Sequence, residues 1–135
     1  MTMHLIKLSV GPESLADLER WQRGRLRQGD ELMHITRHMP KRADEVLAGG
    51  SIYWVIKGWL VARQRLLELR PLVRDGQSFC GLIYDKEMVR VSPRQHRAFQ
   101  GWRYFDPKDA PPDIKKGSKS IPEDLQRELA SLGLL

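Results

Sequence analysis

The sequence predicts an α+β fold, a small bent β-barrel with two or three flanking helices and one more helix at the C-terminus. Three observations carry that prediction. Short apolar runs recur at close spacing with glycine among them, as in a strongly curved sheet. One segment near the N-terminus joins a helix cap to apolar residues at helical spacing. With 41% hydrophobic and 30% charged residues in a chain of 135, there is enough apolar surface for one sizeable core and too little chain for two full domains.

The elements follow in order. "MTMHLIKLSV" alternates His4, Ile6, Leu8 and Val10 against Leu5, Lys7 and Ser9; it lacks a continuous apolar core and a small-residue cleavage site, so it reads as a strand rather than a signal peptide. In "GPESLADLERWQRGRLRQGD" Ser14 is the N-cap and Asp17 completes a near capping box. Leu15, Leu18, Trp21 and Leu26 supply the apolar face, which assigns Trp21 to the core, while Arg20, Arg23, Arg25 and Arg27 suit the negative end of the helix dipole. "ELMHITRHM" gives a short strand. Pro40 then opens a helix of at most about three turns in "PKRADEVLAGG", closed by Gly49 and Gly50.

"SIYWVIKG" is a strand covered on both faces, with Ile52, Trp54 and Ile56 on one side and Tyr53, Val55 and Lys57 on the other. Gly58 marks a bulge, a bend or a close backbone approach. "WLVARQRLLELRPLV" fits a helix through Trp59, Ala62, Leu66 and Leu69, and equally a strand with Leu60, Ala62, Gln64 and Leu66 on one side; periodicity leaves both open. "RDGQ" and "DKE" are turns, "SFCGLIYD" and "FQGWRYF" strands, and "MVRV" a strand ending before Ser92-Pro93. "PKDAPPDIKKGSKS" reads as an extended linker, and "SIPEDLQRELASLGLL" as a helix with a Ser120/Glu123 capping box. The whole is one domain: barrel core and helices over 1–114, a linker over 115–120 and a helix over 121–135. That helix docks on its own barrel or on a second copy, which makes a homodimer a partner to test.

Charge is distributed unevenly. Residues 51–100 hold nine Lys and Arg against four Asp and Glu, residues 1–50 eight against seven, and the last thirty-five six against six. The surplus behind the net charge of +6 therefore lies mid-chain, and a basic field of this kind attracts polyanions. The single cysteine, Cys80, excludes an internal disulfide and a C-x-x-C zinc site, which points to a reducing cytoplasm. No run approaches the length of a membrane span.

Catalytic and cofactor patterns do not stand out. His34 and His38 are four apart but enclose Ile-Thr-Arg, without the glutamate of a zinc protease and with a cation that opposes a divalent metal, so no metal is expected. Cys80 lies in an apolar strand, where desolvation leaves a thiol inert. There is no G-x-S-x-G elbow, no G-x-G-x-x-G and no P-loop, so no cofactor is expected. Asp85, Glu87 and Asp106 each stand beside a turn signal and read as turn formers.

The more informative run is "VRVSPRQHRAFQGWRYFD". Arg90, Arg94, Arg97 and Arg103, with His96, interleave with Phe99, Trp102, Tyr104 and Phe105, a pairing suited to phosphate contact and base stacking. A second basic group, Arg37, His38, Lys41 and Arg42, sits at a strand-to-helix junction; Lys41 and Arg42 also have Asp44 and Glu45 as ion-pair partners on a solvated helix face.

"MHLIKLSVG", "ITRHMPKRADEVLAGGSIYWVIKG", "ARQRLLELR" and "FQGWRYFDPKDAP" together resemble a bacterial family of about this length known as a domain of unknown function, over residues 3 to about 114. A weaker similarity is to the PUA-like and ASCH group of small β-barrels. It implies a strand for 60–69 and recognition of RNA or a modified base in a cleft between helix and barrel, which would gather Arg37, Lys41, Arg42 and Lys57. The ASCH pattern G-x-K-x-x-E-x-R is replaced here by "HMPKRADE", so nucleobase chemistry does not carry over.

The expected function is an RNA- or nucleotide-binding module using Arg37, Lys41, Arg42, Lys57, Arg94, His96, Arg97, Trp102 and Arg103. The alternatives are a small enzyme on a nucleotide or phosphoester, with Arg37 and Lys41 orienting phosphate and an unidentified acid or His38 as base, and a non-catalytic interaction module built on the C-terminal helix.

Overall fold

In the computed structural model residues 1–114 are described. The chain order is β1 (His4–Leu8), α1 (Leu15–Arg27), β2 (Met33–Thr36), α2 (Ala43–Leu47), β3 (Ser51–Ile56), β4 (Trp59–Arg74), β5 (Gln77–Tyr84), β6 (Val89–Gln95), β7 (Trp102–Phe105) and a 3-10 turn at Pro107–Asp109. The expected linker over 115–120 and helix over 121–135 lie outside the described residues.

The fold is a mostly-sheet α+β arrangement. Six of the seven strands follow the path β2-β5-β4-β3-β1-β7, and β6 pairs with β4 off that path. β1 and β3 run parallel, and every other pair is antiparallel. The path is open: among the described residues no ladder joins β2 to β7.

The 16-residue β4 organises the sheet. Its first part pairs with β3 on one edge and β6 on the other, and from Leu66 onward β5 takes over from β6. Register shifts at Trp54/Val55, Leu60/Ala62 and Leu66/Glu68 bend it, since each bulge adds local twist. Residues 60–69 are thus strand, as the PUA-like resemblance implies. The bulge after Leu60 also explains why no single period fits: Leu60 faces one core, whereas Ala62 and Leu66 face the other.

Both faces of β3 are covered, and all six of its residues are buried. Ile52, Trp54 and Ile56 join a core with Leu5, Leu15, Leu18 and Leu82; Tyr53 and Val55 join a second with Ile6, Leu60 and Val91. Each fully buried aliphatic side chain contributes about 1.5–3 kcal/mol, so this strand anchors the sheet. Its turn into β4 is Lys57-Gly58, both at positive φ (49° and 82°) with Ile56 paired to Trp59, the two-residue hairpin geometry that Gly58 makes accessible.

Four expectations need correction. α1 is capped as predicted, the Ser14 side chain accepting from the Asp17 N–H at 3.2 Å, but its inner stripe is Leu15, Leu18 and Gln22. Trp21 is 50% exposed, because the polar Gln22 takes the place in the core that the apolar pattern gives to Trp21. α2 does not begin at Pro40: that ring is itself buried, and Lys41 and Arg42 turn the chain before a five-residue helix starts. β6 runs through Ser92-Pro93, the proline being tolerated because it falls in the register shift between Leu60 and Ala62 of β4, where the ladder is already interrupted. Residues 107–114 are not a free linker either, since Ser92 N–H donates to Pro112 O, Ile114 N–H to Arg90 O, and Asp113 pairs with Arg63. No helix of the described residues is long and apolar enough to cross a membrane.

Candidate functional site

Strand alternation sorts the aromatic run of β7. Its partner β1 pairs Lys7 with Trp102, Ile6 with Arg103 and Leu5 with Tyr104. Register partners share a face. Trp102 and Tyr104 therefore lie on the side of the Leu5 core, and Arg103 and Phe105 on the side of the Ile6 core.

Two hydrogen bonds bring β7 against the loop after β2. The Trp102 indole N–H donates to His38 O at 3.0 Å, and the Arg42 backbone N–H donates to the Tyr104 hydroxyl at 3.0 Å. Between loop, β7 and the far half of β4 lies a cleft of about 580 Å³, lined by Arg37, His38, Lys41, Phe79, Trp102 and Tyr104. The rings of Trp102 and Tyr104 meet edge to face at 5.0 Å.

The cations around this cleft are not equivalent. Arg42 lies 5.6 Å over the Tyr104 ring and holds Glu45 through two hydrogen bonds of 2.6 and 2.7 Å. The bond to Glu45 raises the Arg42 pKa and lowers that of Glu45, so this arginine is already matched, as the helix-face alternative expects. Arg37 lies 5.6 Å over the Phe79 ring, a contact that leaves its charge in place. Among the described residues neither Arg37 nor Lys41 has a carboxylate within ion-pair distance. The cleft thus offers two unmatched cations beside a half-buried indole, an arrangement able to hold an anion bearing a planar group.

The other basic residues named from the sequence stand elsewhere. Arg94 pairs in register with Leu60, on the side of the second core, and donates to Asp109 O. His96 donates its backbone N–H to Gly58 O and sets its ring edge-on to Phe99 at 5.2 Å. Arg103 lies 5.2 Å over Phe99, with the exposed Arg97 nearby in sequence. Lys57 occupies the β3–β4 turn, 4.0 Å from Glu13. Trp102 is thus the link between the two basic groups: it belongs to the β7 run in sequence and to the Arg37–Lys41 cleft in space.

Phe79 and the Pro71–Val73 edge of β4 line the cleft although nothing in the sequence singled them out. Of the residues weighed for chemistry, Cys80 is fully buried with its thiol pKa raised by desolvation, and Asp106 accepts the Lys108 N–H in a turn. Among the described residues no group of three or more His, Cys, Asp or Glu is placed to hold a metal ion.

No curated protein and no solved structure matches the chain. A family described as "Protein of unknown function (DUF1489)" matches residues 5–135, and the chain belongs to that family.

Proposed function

We propose that the cleft between the Arg37–Arg42 segment and β7 binds RNA or a nucleotide-bearing molecule, with Arg37 and Lys41 on phosphate and Trp102 against the base. The observation that carries this reading is the meeting of two carboxylate-free cations with an indole in one hollow of nucleotide size. Tyr104 and Arg42 act as its frame, each holding the other and Glu45 holding Arg42. The bent sheet with a helix packed on it is the support for reading the finer architecture as PUA-like, and the buried free thiol of Cys80 suits a cytoplasmic location. The interaction-module alternative rests on residues 121–135, outside the described residues.

Fluorescence anisotropy of a labelled uridine oligonucleotide at several salt concentrations tests the proposal. Arg37→Ala with Lys41→Ala should weaken binding about tenfold or more and reduce the slope of log affinity against log salt by about one to two. Absent or salt-independent binding by the unmodified protein would remove the proposal. An unchanged slope in the double variant would do the same.

A further inference from the structure

A second hollow, of about 660 Å³, lies between the N-terminal half of α1 and the sheet. Its apolar walls include Trp21, Trp54, Tyr84, Leu18 and Met33. Trp54 and Tyr84 are buried and meet edge to face at 5.5 Å, and His34 approaches Trp54 at 6.4 Å. The size is that of a small-molecule site, and three large rings around one space favour a planar guest.

Its polar groups are few. Asp17 is taken by Arg20 at 3.1 Å, and Glu13, beside the rim in sequence, by Lys57. Burial lowers the His34 pKa to about 4, which makes that imidazole neutral at ordinary pH. Lys7 remains: it stands in register with Trp54 on one side and Trp102 on the other, half-buried, with no carboxylate partner among the described residues. Desolvation holds its pKa below the usual lysine value, the sign of a cation short of compensating charge.

We infer that this hollow binds a small planar molecule carrying a single carboxylate-type anion, the ring system among Trp21, Trp54 and Tyr84 and the anion on the Lys7 ammonium. The site is separate from the Arg37–Lys41 cleft, so the two readings stand or fall independently.

1-Naphthoate and the uncharged 1-naphthalenemethanol serve as probes on the full chain, by calorimetry and by ¹⁵N-resolved NMR. Naphthoate should bind at least about tenfold more tightly than the alcohol and shift the Trp21 and Trp54 indole N–H signals. Lys7→Met, which keeps the apolar stem, should erase the preference. Trp21→Ala, at an exposed position, should weaken both probes, and Arg37→Ala with Lys41→Ala should change neither. Equal affinity for the two probes would overturn the inference, as would no binding up to the solubility limit. So would shifts confined to the Trp102 indole, a result read on the unmodified protein whether or not Lys7→Met folds.

Discussion

Replacing Gln64 by leucine probes the joint between α1 and the bent sheet. Gln64 is completely buried and uses its whole carboxamide: the oxygen accepts from Gln22 Nε2 at 2.9 Å and from the Trp54 indole N–H at 2.8 Å, and the nitrogen donates to Gln22 Oε1 at 2.7 Å and to Asp85 O at 2.9 Å. Leucine is of similar volume, so the change removes hydrogen bonds without opening a cavity. Asp85 O is part-exposed and can turn to water, but Trp54 and Gln22 are 4% and 3% exposed, so the indole N–H loses its partner and the Gln22 amide keeps only its bond with Tyr84. An orphaned indole N–H and an amide that loses both bonds to Gln64 cost about 1–3 kcal/mol each, offset by about 1 kcal/mol of extra apolar burial. The net expectation is a loss of about 3 kcal/mol in urea unfolding with an unchanged m-value. Leucine at both Gln22 and Gln64 removes the amide but leaves the Trp54 N–H and the buried Tyr84 hydroxyl, which also bonds Gln22, without these partners, so it should stay within about 1 kcal/mol of the single variant. A single variant within about 1 kcal/mol of the parent, or a double variant as stable as the parent, would refute the reasoning.

Other outcomes follow from the same structure. At Gly50 an added Cβ would collide with the backbone carbonyls of Met3 and Val46, whereas at Gly81 it would meet the Met33 sulfur at 2.6 Å, the end of a flexible side chain. Gly50→Ala should therefore cost about 3 kcal/mol or more and Gly81→Ala about 1 kcal/mol by urea unfolding; equal costs would contradict the packing described. His34 titrates near 6.5 in the unfolded chain and near 4 in the fold, so the folded state resists its protonation. Its effect is absent well above pH 6.5, and stability falls by up to about 3 kcal/mol as the pH drops from 6.5 to 4. His34→Gln should flatten that part of the profile, and parallel profiles would exclude the assignment. The Cys80 thiol should react with a disulfide reagent only at the rate of unfolding, its sulfur being buried 3.5 Å from the Met39 sulfur; rapid reaction in the native state would contradict that burial.

Much of the fold was legible because its signals are local. Ser14 and Asp17 announce the α1 cap and Asp75-Gly76 a tight turn, whereas Lys57 and Gly58, which read as a strand position followed by a bulge or bend, form a two-residue hairpin turn. The alternation of β3 gave both its buried faces. The misreadings arose where a polar side chain or a bulge decides the packing. Gln22 carries no apolar signal, yet it displaces Trp21 from the core because Gln64 waits across the interface to satisfy it. The bulge at Leu60/Ala62 flips the side-chain order of β4, which no fixed period captures.

The cleft was half visible for the same reason. Arg37 and Lys41 stand out at a strand-to-helix junction and Trp102 in a basic and aromatic run, but grouping Trp102 with Arg94, Arg97 and Arg103 follows chain order rather than space. Strand alternation divides them: Trp102 and Arg103 are adjacent residues on opposite faces of β7. Phe79 could not be assigned from periodicity, since its place beside Arg37 depends on the path of β5 along the far half of β4.

Photo-crosslinking reads where a base docks on the sheet. A 4-thiouridine oligonucleotide irradiated with the full chain should form its adduct on β7 at Trp102 or Tyr104, or on Lys41, as mapped by peptide mass spectrometry. Adducts confined to Phe99 and the Arg94–Arg97 segment would place the contact on the opposite face of the sheet and contradict the account.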